Sequence, residues 1–268
     1  MKGKTAYILA AALAAALAAS CSVKEDRTSC PSYLTVFYHE AAPVLAANGI
    51  TSGVVTTVTN GSGFRYRLSV DPSEYPGGLE VPVVPKGAAT VSGLSGVSLG
   101  EVSQDRYTVR RGEEADRIWA DSQVVDCTGE LAADTVRLHK QYAVMRITFR
   151  GSEAYAAPSL RVRGGCNAMD TNTLEALRGE FYASARHTGG TAFEVRVPRQ
   201  AGTDLYLDVI DGAETVSTVE VGEKLASAGY NWAKRDLDDI EVLVDYAVSD
   251  ATVTVAPWRD GGYTEHVI

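Results

Sequence analysis

FRYRLSV, residues 64–70, alternates without a break. Phe64, Tyr66, Leu68 and Val70 fall on one side of an extended chain, and Arg65, Arg67 and Ser69 on the other. Successive side chains of a strand point to opposite faces, so this is the pattern of a half-buried β-strand. The turn NGSG precedes it and the turn cluster DPSEYPGG follows. Working outward, the same grammar recurs. YLTVFY (33–38) and GVVTTVT (53–59) are rich in aromatic and branched residues, as strands are. LEVPVVP (79–85) is extended, and Pro82 marks an edge or a bulge. Further strands are expected at 106–109, 117–125, 132–139 and 143–149. RGSEAYAAP (150–158) shifts to small and turn residues and is read as a domain boundary. Beyond it, strands are expected at 159–164, 192–198, 204–210, 215–221, 240–248 and 251–258. TLEALRGEFY and EKLASAG are candidate helical turns, and no helix is long enough for a β-α-β unit. The expected fold is all-β, with two β-sandwich domains in series.

Upstream, MKGKTAYILAAALAAALAAS has a basic tip at Lys2 and Lys4, an apolar Ala/Leu run and small residues before Cys21. That is the layout of a secretory signal, too short for a comfortable membrane span. Small residues before a cysteine resemble the bacterial lipobox, although Ala18 stands where a large aliphatic is usual. The expected division is 1–20 signal peptide, 21–150 first sandwich and 151–268 second sandwich. Cys21 is the expected lipid-attachment residue. Lys24, Glu25 and Asp26 resemble the short signal that sends lipoproteins of Bacteroidetes to the outer face of the outer membrane.

The chemistry is otherwise sparse. A formal net charge of −9, with no basic run, argues against nucleic-acid binding. Cys30, Cys127 and Cys166 remain beside Cys21. An exported context permits disulfides, and a Cys30–Cys127 pair is the expectation, with one thiol left over. No pair has metal-ligand spacing, and no cofactor motif, nucleophile elbow or HExxH is present. Asp204 and Asp208 share a strand face, which suits a calcium or acid/base pair but more simply a solvated face. DLDD (236–239) lacks EF-hand spacing and reads as a turn before a strand. Trp119, Trp232 and Trp258 suit either sugar stacking or a sandwich core. No catalytic residues and no metal are expected.

The order C-x-x-K-E-D-x-x-x-C-P, followed at once by YLTVFY, resembles the FimB-type family of fimbrial anchor and accessory subunits in Bacteroidetes. RLHKQYAVMRITFR (137–150) looks like that family's strand closing the first domain. VPRQAGTDLYLDVIDG and IEVLVDYAVSDATVTVAPW look like its second-domain core. The resemblance implies transthyretin-like sandwiches and membership of the type V pilus system. It implies fimbrial shaft or accessory subunits as partners and the outer membrane, through N-terminal lipid, as the location. Shaft pilins of that system lose their first strand to an Arg-directed protease and receive a donor strand instead. Here no Lys or Arg occurs between Arg27 and Arg65. The first strand is therefore expected to stay, which favours a non-enzymatic anchor or terminating subunit. The other reading is a surface glycan-binding lipoprotein of a polysaccharide-uptake system, which exposed tryptophans in a row would support.

Overall fold

The computed structural model describes residues 30–150, 159–212, 214–245 and 250–258. The leader, Cys21 and the Lys24-Glu25-Asp26 signal lie outside the described residues. The protein is all-β, as expected, with two short helices among the described residues, α1 (Ala41–Ala47) and α2 (Val221–Ser227).

The first sandwich is built from β1 (Ser32–Phe37), β2 (Val54–Asn60), β3 (Arg65–Val70), β4 (Leu79–Val84), β5 (Ala88–Ser95), β8 (Trp119–Asp126), β9 (Leu131–Thr135) and β10 (His139–Lys140). They form a three-stranded sheet, β4-β1-β9, and a five-stranded sheet, β10-β8-β5-β2-β3. Leu34 and Val36 from β1, Val54 and Val58 from β2, Val81 from β4 and Val91 from β5 fill one core. The alternation read at 64–70 holds: Arg65, Arg67 and Ser69 are exposed while Tyr66, Leu68 and Val70 turn inward. Pro82 marks both an edge and a bulge. β4 is an edge strand, and its register against β1 slips between Val81 and Val84. Val83, in that slip, adopts φ 64°, a strained left-handed conformation for a branched residue.

The second sandwich stacks β14 (Arg186–Gly189), β15 (Ala192–Pro198), β11 (Tyr142–Arg150), β18 (Asp239–Asp245) and β19 (Asp250–Ala256) on a second sheet. That sheet runs β17 (Glu214–Val219), β16 (Leu205–Asp211), β12 (Ser159–Asp170), β7 (Arg106–Thr108), β6 (Glu101–Ser103), with β13 (Ala176–Ser184) also on β12. Met145, Ile147, Val162, Val195, Leu207 and Val242 lie in its core.

Two placements differ from the sequence reading. RLHKQYAVMRITFR does not close the first sandwich. Only His139 and Lys140 pair there, and β11 sits between β15 and β18 in the second. The chain thus passes from one core to the other ahead of Tyr142, and residues 151–158 of the expected break lie outside the described residues. In addition, β6 and β7 leave the first half to join the second sheet, Thr108 pairing Ala168. The first half of the chain thus contributes strands to both sandwiches.

Candidate assembly surfaces

The first strand is held on both sides. β1 pairs antiparallel with β4 and parallel with β9, so both its backbone edges are used. Leu34, Val36 and Tyr38 point into the core at 1%, 0% and 2% exposure. The Tyr38 hydroxyl meets Thr56 Oγ1 at 2.7 Å, and burial pushes its pKa up to about 12. β1 therefore fills the groove between β4 and β9 with its own side chains. The loop expected after it contains α1, whose Ala41 and Leu45 are buried against the same core. Among the described residues, β19 ends its sheet, with β18 as its one neighbouring strand.

DLDD is neither a metal loop nor a bare turn. Asp236 Oδ2 lies 2.8 Å from His139 Nδ1, and its Oδ1 accepts the Lys140 amide at 2.7 Å. Burial opposes its ionisation, but these partners outweigh burial and hold the carboxyl below the usual carboxylate range. Asp238 Oδ2 accepts from Lys234 Nζ, and its Oδ1 accepts the Trp258 amide at 3.0 Å. Asp239 Oδ1 accepts from Lys140 Nζ at 2.6 Å and from the Val144 amide at 2.8 Å. The Lys140 ammonium is fully buried, 4.6 Å from the Trp258 ring and 4.9 Å from the Tyr142 ring. Trp258 meets Trp119 edge to face at 5.8 Å. Arg199 completes the junction. Its guanidinium donates to the carbonyls of Trp232 and Lys234 and to Gln141 Oε1. This cluster fixes the end of β19 and the start of β18 to the first sandwich. Lys140 was not singled out in the sequence. The available signal was a single lysine just ahead of an apolar strand, with the three carboxylates of DLDD unclaimed elsewhere.

The other candidates resolve similarly. Asp208 is 1% exposed, whereas Asp204 is exposed and does not join it. Arg163 Nε, Arg161 Nε and Thr218 Oγ1 donate to Asp208 at 2.7–2.9 Å. Burial opposes ionisation of Asp208, but the bonds from Arg163, Thr218 and Arg161 hold its carboxyl below 3.8. Because the native value is depressed, its contribution to stability is complete above the unfolded value and is lost as pH falls through the native one. Asp208→Asn is accordingly expected to flatten the acid limb of the stability curve below about pH 4, followed by circular dichroism. Trp119 is buried, and Trp232 and Trp258 are half-buried, so the tryptophans form no exposed row. Cys30, Cys127 and Cys166 are free thiols, so the expected Cys30–Cys127 bond is not formed in the structure. Cys30 is exposed, while Cys127 and Cys166 are buried. No metal-holding group of His, Cys, Asp and Glu occurs among the described residues.

No family model and no curated protein matches the sequence. Solved structures do. A candidate adhesin from Bacteroides ovatus superimposes with TM-score 0.58 at 13% identity, covering 91% of this chain and 98% of that one. The fimbrial anchor protein Mfa2 from Porphyromonas gingivalis gives 0.57 at 8% identity, covering 87% and 100%. A candidate polysaccharide-binding protein from Bacteroides thetaiotaomicron gives 0.56 at 14% identity, covering 86% and 99%. The chain therefore shares its all-β, two-sandwich fold with a fimbrial anchor protein and with adhesin candidates of the Bacteroidetes.

Proposed function

We propose that this chain is a non-enzymatic, lipid-anchored cell-surface subunit that anchors or terminates a fimbria through strand-addition contacts. The observation that carries the reading is β1. It occupies the groove that strand exchange would need to be empty, paired on both sides. Cleavage after Arg27 would leave it in place, and the next Lys or Arg is Arg65, beyond β2. A subunit whose groove is permanently filled can donate or cap but cannot accept. Backbone pairing at an open sheet edge supplies affinity, and alternating pockets supply register. Several strands end their sheets among the described residues, β3, β14 and β17 among them, and β19 is the one proposed for such pairing.

Cys21 is the proposed anchor, with Lys24 to Asp26 as the export signal to the outer face of the outer membrane. A multiply acylated cysteine holds where a single chain binds only marginally. The test is the native protein. Intact mass is expected to show an acylated Cys21 at the mature N-terminus, and fimbrial shaft subunits are expected to co-purify. Cys21→Ser is expected to move the protein out of the membrane fraction. An unacylated start beyond Tyr38, or co-purification of outer-membrane sugar porters in place of shaft subunits, overturns the reading.

A further inference from the structure

The outward face of β4-β1-β9 is unlike the rest of this acidic chain. Its first row is Val83, Tyr33 and Leu131, at 60%, 57% and 80% exposure. The Tyr33–Leu131 register and the β4 bulge put the three side by side. Thr35 stands opposite Ala133 and Glu80 in the next row, and Phe37 opposite Thr135 in the third. Gly78 lies against Phe37 there: a Cβ at Gly78 would sit 3.0 Å from the Phe37 ring. Glu80 is the only charge across these rows, in a protein of net charge −9. Large exposed apolar side chains gathered in one place mark a contact surface, whereas scattered ones do not.

The tether identifies the occupant. Cys21 precedes Cys30 by nine residues, which span at most about 30 Å when extended. β1 begins two residues after Cys30, with Tyr33 near its start. An acylated Cys21 therefore keeps Tyr33, and the row it belongs to, within about 40 Å of the bilayer. Tyrosine beside aliphatic side chains is the composition favoured at a membrane–water interface, and a nearly uncharged face avoids the repulsion that the acidic remainder meets at an anionic surface.

We infer that the outer face of β4-β1-β9 rests on the lipid surface to which the chain is tethered, so that the first sandwich lies against the membrane. This inference rests on acylation of Cys21. The experiment separates the two by confirming acylation on each sample by mass before any other measurement. The full acylated chain, with Cys30→Ser, is placed on phosphatidylethanolamine–phosphatidylglycerol vesicles. A nitroxide is attached at Ala133→Cys on this face or at Ser69→Cys on β3 as control. Vesicles are expected to protect the Ala133→Cys label from a water-soluble nickel relaxant and leave the Ser69→Cys label accessible. In the unacylated Cys21→Ser chain, Tyr33→Ser with Leu131→Ser is expected to weaken vesicle partitioning about tenfold or more, since two large side chains lose their apolar contact. Equal nickel access at both labels in an acylated sample overturns the inference while leaving the anchor intact. Concentration-dependent dimers that protect Ala133→Cys without vesicles overturn it in favour of a second copy.

Discussion

Asp239→Ala is expected to lower unfolding stability by about 3–5 kcal/mol, read from denaturant or thermal unfolding. The Lys140 ammonium has no exposed surface, and its counter-charge has 1%. Taking two charges out of water costs several kcal/mol each, which their attraction returns only when the geometry is good. Removing one partner leaves the other buried and unpaired, with the Leu237 carbonyl at 3.1 Å and two ring faces as its remaining company. The Val144 amide loses its acceptor in the same step. The double variant Lys140→Met, Asp239→Leu is expected to recover most of the loss, because it removes both charges at once.

A pH readout separates this from simple loss of packing. Burial already lowers the Lys140 value from 10.5, and Asp239 is the largest influence opposing it. Without Asp239 burial lowers the native value further, so just below 10.5 the native state binds fewer protons than the unfolded chain. Stability of Asp239→Ala must then rise as pH climbs toward 10.5 and level off above it. A variant that had lost only van der Waals contact would keep the wild-type slope, without this steepening.

The period-two strands were legible because their two faces differ: FRYRLSV, YLTVFY and IEVLVDYAV each announce a buried side. β5 was not, since AATVSGLS carries glycine and serine where a strand usually carries bulk. The structure supplies the reason. Gly93 lies under Val136 and Val54, where an added Cβ would sit 2.8 Å and 3.2 Å from their methyl groups. β13 was mistaken for a helical turn because LEAL has helix propensity, yet its partner β12 decides its state. The junction could not be read at all. Lys140 and Asp239 are 99 residues apart, and no local pattern says that one will close on the other. Likewise β11 has the composition of either domain, and only pairing with β15 and β18 assigns it.

Deleting β1 is expected to have the largest effect of all, and its outcome bears directly on anchoring. A chain beginning at residue 39 loses Leu34, Val36 and Tyr38, each fully buried. Burying such a side chain contributes about 1.5–3 kcal/mol. Their sum alone approaches the whole stability of a typical domain, about 5–15 kcal/mol. The facing edges of β4 and β9 lose their pairing as well. The shortened chain is therefore expected to lose near-ultraviolet circular dichroism and bind hydrophobic dyes. A synthetic peptide of residues 32–38 added in trans is expected to restore the native signal by refilling the groove. The alternation of β1 sets which peptides can do so. Val36→Asp buries an unpaired carboxylate and must fail. Tyr33→Ser alters only the outward face and must succeed. Should the shortened chain stay folded without peptide, the groove would be dispensable, and a filled groove could no longer distinguish a subunit that ends a fimbria from one that extends it.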